Sequence, residues 1–417
     1  MIKKIIISAC LLLSFVSFAQ QGTSSPYSFY GIGDVRFKGT VETRSMAGVA
    51  IEQDSIHINI ENPASYANLK LTTFSVGGTF SSATLKTDSQ SAKAQRTTLD
   101  YIAVGLPLGK KFGVGFGLIP YSSVGYQIES LSINTGGNNK RFDGSGGLNK
   151  VYLGIGYKIK PNFSIGADVQ YDFGKIETTG YEFVPDVPVG TRELNTNYLS
   201  GINFNFGAMY QYKINKKLSF FSSATYTVQG KLNSENTRNI STGMLGSGLY
   251  FSVIDLGEDV KSDLDVKMPF KLALSAGVGE SKKWLIGGKF SYQNAVNQSI
   301  IYNNASNVGY GKAASASIGG YYIPNYSSFS GYFNRVTYRA GIKYEKTALI
   351  INSERINDIG FTLGAGLPIP GSFSKVNLGM EFGKRGTTSA GLIQENYVNI
   401  SLGFSLNDKW FERSKFN

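Results

Sequence analysis

The sequence predicts an all-β protein, a transmembrane antiparallel β-barrel of about 14 strands. Three observations support this prediction. Charged residues make up only 17% of the 417 residues, whereas aromatic residues reach 13% and glycine occurs 50 times. After the N-terminal leader, no stretch approaches the roughly 18 consecutive apolar residues that a spanning helix needs. Beyond about residue 71, apolar and polar residues alternate with the period of a strand, and strands cross a bilayer only as a closed sheet.

Residues 1–19 have the pattern of a secretory signal peptide. Lysines precede an apolar stretch over residues 5–16, and a small-x-small cleavage motif ends at Ala19. The single cysteine, Cys10, lies within the apolar stretch, which favours ordinary cleavage over lipid attachment. We therefore expect a mature chain that begins at Gln20 and has no cysteine, which excludes disulfides and thiolate chemistry.

The predicted strands have one apolar and one polar face. In residues 163–173 the odd positions are Phe, Ile, Ala, Val, Tyr and Phe, and the even positions are Ser, Gly, Asp, Gln and Asp. Residues 335–345 divide in the same way, with Val336 first on the apolar face. A charge on the lipid face costs about 2–4 kcal/mol at the bilayer midplane, so the apolar face is predicted to contact lipid. A soluble sandwich also alternates but seldom has so many strands in one run.

About fourteen such segments occur, an even number, as bacterial single-chain barrels require. They are predicted near residues 71–84, 97–108, 111–128, 148–159, 162–176, 198–214, 217–229, 264–279, 283–294, 313–323, 334–345, 356–367, 373–383 and 395–406. Tight turns, for example 109–111 and 281–283, are predicted to alternate strictly with long loops. The long loops are predicted near residues 85–97, 128–147, 174–198, 229–264 and 294–313. Short turns are typical of the periplasmic end and long loops of the outside.

Residues 25–68 are the only long segment after the leader without this alternation. Arg44 is followed by a run of small residues, and Asn62-Pro63-Ala64 stands just before the first predicted strand. The segment resembles the N-terminal hatch of the long-chain fatty acid transporter (FadL/TodX) family of outer-membrane barrels, in a Bacteroidota-type variant. The resemblance implies that these residues fold into the lumen and close it. The alternative is a short helix, capped at Asn62 and Pro63, that only fills space.

The predicted organisation is a leader at 1–19, a hatch segment at 20–69, a barrel at 70–406 and a periplasmic tail at 407–417. Glycine in a strand allows another backbone to approach closely, so glycines on the lumenal face are expected to leave room for a hatch. These glycines are Gly154, Gly156, Gly166, Gly207, Gly277, Gly341, Gly364, Gly366, Gly379 and Gly403.

The resemblance implies a channel in the Gram-negative outer membrane for passive uptake of hydrophobic small molecules, such as long-chain fatty acids. Its expected partners are the membrane lipid and the hydrophobic ligand. Some relatives in the Bacteroidota-type group, such as the PorV-like barrels, serve protein secretion. A structural or shuttle role in an outer-membrane protein complex is therefore the alternative function.

Three basic residues are predicted to line the lumen and to bind a ligand. Arg335, Arg339 and Lys271 could each meet the carboxylate of an otherwise apolar ligand. The alternative is that they pair with lumenal acids and anchor the hatch. The acids concerned are Asp168, Asp172 and Glu381.

Three further candidates belong to apolar runs in the predicted long loops. Phe183 precedes the sixth strand, and Leu249 and Phe251 precede the eighth. Exposed apolar runs often mark ligand or partner sites, and the corresponding loops of the resembled family form the outer groove where a hydrophobic substrate lands. The alternative is that these runs extend strands above the membrane.

Pro120 and Tyr121 interrupt the third predicted strand. Proline has no amide hydrogen to donate, so it belongs at an edge, a strand start or a bulge, and a closed barrel has no edge. A break in pairing is predicted here. It is either a bulge that bends the wall or, as the resemblance implies, a lateral opening through which an apolar ligand leaves the lumen.

Catalytic and metal-binding patterns are weak. His57 is the only histidine, which leaves zinc sites and Ser/His/Asp hydrolysis unsupported, so no enzyme activity, metal or cofactor is predicted. The formal charge is +12, but the lysines concentrate in tight turns and no groove-reading motif is present, so nucleic acid is not expected as a partner. Contact with anionic lipid head groups is the alternative to simple solvation of these turns.

Overall fold

A computed structural model describes residues 25–35, 39–130, 132, 137–184, 187–246, 251–298 and 307–410. The predicted leader, Gln20 and residues 411–417 of the predicted tail lie outside the described residues. Among the described residues no helix is long and apolar enough to cross a membrane.

Strands make up most of the chain. In chain order they are β1 (Asp34–Val35), β2 (Thr72–Lys86), β3 (Ser91–Leu108), β4 (Phe112–Pro120), β5 (Ser122–Ser130), β6 (Asn139–Lys160), β7 (Phe163–Phe183), β8 (Val189–Lys213), β9 (Ser219–Thr227), β10 (Gly230–Leu245), β11 (Phe251–Leu256), β12 (Val260–Met268), β13 (Lys271–Glu280), β14 (Trp284–Gln293), β15 (Val308–Tyr310), β16 (Ala313–Tyr322), β17 (Thr337–Ile351), β18 (Glu354–Pro368), β19 (Lys375–Arg385) and β20 (Gln394–Asp408). The helical elements are α1 (Val41–Arg44) and short 3-10 helices at Pro26–Phe29, Pro63–Asn68, Phe333–Arg335 and Ser389–Gly391.

The antiparallel sheet closes on itself, because β2 pairs with β3 on one side and with β20 on the other. Some barrel strands are interrupted and are each made of two or three of these segments. They are β4 and β5; β9 and β10; β11, β12 and β13; and β15 and β16. The wall therefore has 14 strands, and the predicted fold class is confirmed. We call the end where β2 begins and β20 ends the lower end, and the opposite end the upper end.

The two faces of the wall divide as predicted for residues 163–173. Val169 and Tyr171 are exposed on the outside, whereas Asp168 and Asp172 are buried towards the lumen. The prediction for Val336 is wrong, since this residue precedes β17 and is buried at the lower end. Its place in the alternation is coincidental, because the strand begins only at the next residue.

Several predicted long loops are strands. β7 continues to Phe183 and β8 begins at Val189, so the predicted loop 174–198 shortens to 184–188. The predicted loop 85–97 likewise shortens to a turn at 87–90. β10, β11 and β12 fill most of the predicted loop 229–264.

The physical reason for these errors is visible on β10 and β12. Lys231 and Asp265 form an exposed ion pair of 2.9 Å on this part of the wall. Where both faces of a strand carry polar residues, the period-two pattern disappears although the hydrogen-bonded ladder continues.

The predicted strict alternation of short and long connections is also wrong. At the upper end, β17 and β18 are joined by Asn352 and Ser353 alone, both with positive φ, as a two-residue hairpin turn requires. At the lower end, residues 323–336 form a long connection between β16 and β17.

The interior is filled at two levels. In the upper half, Ile32 packs into an apolar cluster of side chains from β5, β6, β7, β8, β10 and β12. Lower down, Tyr66 and Val41 pack with Tyr101 and Tyr152 of the wall. The core of this barrel is therefore built around the N-terminal segment.

Candidate functional site

Residues 39–69, here called the hatch, lie inside the barrel, and polar caps define their helical turns. Asn62 precedes the 3-10 helix Pro63–Asn68, and its Oδ1 accepts from the amide of Ala64 at 3.0 Å. Proline suits the first helical position because no intrahelical donor is needed there. Thr40 caps α1 in the same way. The sequence motif Asn62-Pro63-Ala64 thus sets this turn.

Asn62 also ties the hatch to the wall. Its Nδ2 donates to Oγ of Ser223 at 3.0 Å and to the carbonyl of Ala208 at 3.2 Å. The residue is 1% exposed. A single buried amide therefore satisfies both the helix start and two wall groups, as buried polar atoms require.

Two ion pairs join the hatch to the wall. Arg44 Nη1 lies 2.7 Å from Asp100 Oδ2 and also donates to Oγ1 of Thr79 at 3.0 Å. Glu61 Oε2 lies 2.9 Å from Lys289 Nζ. All four charged side chains are largely shielded from solvent, so loss of one partner would leave an uncompensated charge.

Close approach of the hatch depends on lumenal glycines. A Cβ added at Gly156 would lie 2.6 Å from the amide nitrogen of Ala67, and one at Gly341 would lie 2.7 Å from the carbonyl carbon of Met46. The prediction that lumenal glycines leave room for the hatch is confirmed at nine of the ten glycines, because a Cβ added there would contact a hatch atom. The exception is Gly366, where the neighbouring atoms belong to Arg339 and Asn377.

We expect Gly166→Val to displace the hatch, because a Cβ at Gly166 would overlap the backbone of Pro63. The strand itself should accept valine, which favours β structure. Reconstituted in planar bilayers, this variant should pass more ions than the wild type. Ala167→Val, one residue away on the lipid face, is the matched control. Equal conductance of both variants would contradict close seating of the hatch at this position.

Arg44→Met should weaken the seating of the hatch by about 3–5 kcal/mol, the usual cost of leaving a buried ion unpaired. Asp100 would be the unpaired group. The expected result is more frequent channel opening in bilayers, partly reversed when Asp100→Asn is added. If the second substitution does not reduce opening, the two residues are not energetically coupled.

Acidic residues lie near the lower end of the hatch. Tyr321 donates to Glu52 Oε2 at 2.6 Å, and Ser281 donates to the other oxygen. Burial, together with the neighbouring Asp54, raises the pKa of Glu52 above its ordinary value. Burial acts to raise the pKa of Asp54 as well, but His57, 2.6 Å away, lowers it below the usual range. His57 thus serves as the partner of Asp54.

Residues 25–35, here called the strap, cross the upper lumen. Tyr27 donates to the carbonyl of Ile393, and Asp34 pairs with Arg385 at 2.9 Å. β1 also pairs with β5, with Asp34 opposite Ser123. The strap therefore links the β19–β20 side of the wall to β5.

A cavity of about 330 Å³ borders both the strap and the hatch. Tyr30 and Ile32 of the strap, Ile60 and Glu61 of the hatch, and Lys271 of the wall contribute to its lining. We call this space the chamber. Its amine and carboxylate groups suit the polar end of a ligand, whereas the apolar cluster around Ile32 lies beside it.

The wall is incompletely paired next to the strap. β3 pairs with β4 only from Ile102, opposite Leu118, down to Leu108. Among the described residues, no pairing joins the upper part of β3, from Ser91 to Tyr101, to β5. β5 instead pairs with β6 and with β1. We call the space between upper β3 and β5 the wall gap.

Pro120 and Tyr121 lie at the base of the wall gap. Tyr121 donates its amide to the carbonyl of Leu148 on β6 at 2.7 Å. Successive amides along a strand point to opposite neighbours, so the nitrogen of Pro120, which carries no hydrogen, faces β3. The aromatic ring of Tyr121 lies 4.4 Å from Nζ of Lys150. The structure therefore places both residues where pairing with β3 ends.

The predicted basic residues do not form one site. Lys271 lines the chamber. Arg339 is buried and donates to Oδ1 of Asn377 at 3.1 Å, and Asn377 in turn donates to Glu42 of α1. The lumenal placement of Arg335 is wrong: it ends the 3-10 helix of the lower connection, with its guanidinium 5.7 Å from the ring of Tyr332.

The predicted apolar residues of the upper end lie at strand ends. Phe183 is the last residue of β7, and Phe251 is the first residue of β11. The ring of Phe251 lies 5.5 Å from that of Tyr181, and the guanidinium of Arg192 lies 5.6 Å from it. Leu249 lies outside the described residues.

The sequence carries no local signal that marks the strap as a separate element. The pair Asp34–Arg385 and the pair Glu61–Lys289 join residues far apart in the chain, and no local spacing signals either. A two-residue strand such as β1 is also too short for a periodic pattern.

The fold and the filled lumen define a class of protein: a closed antiparallel β-barrel of 14 strands with an N-terminal segment folded inside. The chain belongs to the BamG family, whose model matches residues 1–417. No curated protein matches the chain.

Three solved structures are similar over nearly their whole length. The toluene transporter TbuX of Ralstonia pickettii is 14% identical, with a TM-score of 0.57 over 88% of this chain and 98% of that one. A FadL homologue of Pseudomonas aeruginosa is 12% identical, with a TM-score of 0.58 over 90% and 100%. The toluene transporter TodX of Pseudomonas putida is 16% identical, with a TM-score of 0.54 over 90% and 98%. These likenesses show a common fold.

Proposed function

We propose that this protein is an outer-membrane channel for passive uptake of hydrophobic small molecules. The observation that carries the proposal is the wall gap, which adjoins a lumen filled by the hatch lower down. Unpaired backbone is costly in hydrocarbon and persists where it borders protein or a cavity. Such a gap gives an apolar molecule a way sideways into the bilayer. The toluene transporters TbuX and TodX, which share the fold, support the same class of cargo.

The route has three parts. A ligand enters at the upper end, where Phe183 and Phe251 offer aromatic surface. Its polar end meets Lys271 in the chamber, because a lysine ammonium group forms charge-assisted hydrogen bonds with a carboxylate. Its apolar part then leaves past Pro120 and Tyr121 through the wall gap.

Two elements close this route. The hatch blocks the way to the lower end through the buried anchors of Arg44, Asn62, Pro63 and Ala64. The strap covers the wall gap through β1, which occupies the edge of β5. Release of β1 from β5 is the movement that opens the wall gap in this proposal. In this proposal the leader at 1–19 directs export across the inner membrane and is cleaved, and the barrel lies in the outer membrane with its lower end in the periplasm.

A second function, membership of an outer-membrane protein complex, is favoured by β11. Ile254 is 63% exposed and Leu256 64% exposed, and among the described residues β11 pairs only with β10. An exposed apolar edge strand is a ready template for a strand of another protein. A partner bound there would use the barrel as a scaffold.

Purification in mild detergent separates the two functions. The channel proposal predicts a co-purifying fatty acid or similar hydrophobic molecule, detected by mass spectrometry of an organic extract. A protein partner at constant stoichiometry, with no such molecule, would favour the complex instead. Heat-modifiable migration on a gel should accompany both results, since both require a folded barrel.

A further inference from the structure

The lower connection, residues 323–336, exposes aromatic side chains to an unusual degree. Phe329 is 102% exposed and Phe333 73% exposed, and Tyr326 and Tyr332 are also exposed. The other described connections at this end are shorter and join their strands directly. Exposed apolar patches of this kind mark interaction sites.

The connection is an ordered loop. The amide of Asn325 donates to the carbonyl of Asn334 at 2.8 Å and closes the loop at its base. Within it, the amide of Gly331 donates to Oγ of Ser328 at 3.2 Å. Phe329 is thus held at the tip of a closed loop whose backbone is tied internally.

The loop starts from the aromatic rim of the outer wall. Trp284 is opposite Tyr322 on β14 and β16, and Tyr322 is opposite Tyr338 on β17. Tyr322 and Tyr338 are exposed on the outside, as in the aromatic girdle at a membrane interface. The hydroxyl of Tyr338 donates to the carbonyl of Phe333 at 3.3 Å. This bond holds Phe333 beside the lipid-facing wall.

The charged groups that lie against the aromatic rings of the loop are positive. Residues 323–336 contain no aspartate or glutamate. Nζ of Lys282 lies 4.9 Å from the ring of Tyr326, and the guanidinium of Arg335 lies 5.7 Å from the ring of Tyr332. Aromatic rings with adjacent cations suit a membrane surface, where the ring enters the head-group layer and the cation meets a phosphate.

We propose that residues 323–336 form a lipid anchor, which inserts Phe329 and Phe333 into the head-group region of the adjacent leaflet and binds anionic phospholipid through Lys282 and Arg335. The anchor acts from outside the lumen. It is therefore independent of what the channel carries.

Site-specific fluorescence tests the anchor. The only cysteine is Cys10, so a chain refolded without residues 1–19 is free of thiols. Ser330→Cys, which keeps both phenylalanines, would be labelled with the polarity-sensitive dye NBD. Ser89→Cys, in the exposed turn at the upper end, is the reference. Both proteins would be placed in vesicles of phosphatidylcholine and phosphatidylglycerol that carry a spin label near the head group.

The anchor predicts a blue-shifted emission at position 330 that the spin label quenches, and a water-exposed, unquenched dye at position 89. Adding Phe329→Ser and Phe333→Ser should abolish the quenching while heat-modifiability is retained. Vesicles without phosphatidylglycerol should show weaker quenching. Equal quenching in both lipid mixtures would overturn the binding of anionic phospholipid through Lys282 and Arg335. A dye as exposed at position 330 as at position 89 would overturn the anchor.

Discussion

A barrel that lacks residues 25–60 should still assemble and should conduct ions steadily in planar bilayers. The wall strands form their ladder with one another, and among the described residues of the N-terminal segment only β1 pairs with them. The deletion removes α1, the strap and the ion pairs of Arg44 with Asp100 and of Asp34 with Arg385, whereas Glu61 and its partner Lys289 remain. The lumen should then be open to water from end to end.

The full-length chain, reconstituted in the same way, is the control and should remain closed for most of the recording. Heat-modifiable migration would show that the deleted barrel is folded. A folded deletion variant with no larger conductance than the full chain would mean that the N-terminal segment does not close the lumen.

Pro120→Val should slow hydrophobic uptake. The substitution supplies an amide hydrogen where the proline nitrogen faces β3, at the point where pairing with that strand ends. A hydrogen bond contributes about 0.5–1.5 kcal/mol net, so the wall gap should open about two- to tenfold less often. Uptake of a labelled fatty acid, measured in cells without other transporters, should fall by a similar factor.

Expression and heat-modifiability should be unchanged in this variant, because valine suits a strand. Leu118→Val, two residues away where β4 still pairs with β3, is the matched control. Wild-type uptake in Pro120→Val would remove the lateral route and leave Pro120 as a simple bulge.

The fold could be predicted from sequence because lipid imposes a strong rule on the wall. Val169 and Asp168 fall on opposite faces, and the pattern repeats along each strand within the hydrocarbon region. The alternation of apolar and polar residues ends where the strands extend beyond the lipid bilayer. There the pair Lys231–Asp265 faces water, and the strand extensions around β10 and β12 were predicted as loops.

Parts of the site could also be predicted. Asn62 and Pro63 form a local helix cap. Lumenal glycines such as Gly156 indicate that another segment packs closely, but not which segment it is. The contacts that complete the site are long-range. The pairing of Asp34 with Arg385 depends on the closed barrel and has no local signature. Arg335 was wrongly predicted to lie on a strand. Arg335 and Val336 alternate as polar and apolar residues, but β17 begins only at Thr337.

Uptake of a labelled hydrophobic compound by whole cells would show whether this barrel is a channel. A host strain without its own hydrophobic-compound transporters would express this protein, and entry of a radiolabelled long-chain fatty acid or toluene would be followed over time. Signals would be normalised to the heat-modifiable protein in the outer membrane. We propose a channel and therefore expect faster entry of at least one of these compounds than in the empty strain. Equal entry with and without a folded, correctly located barrel would contradict it.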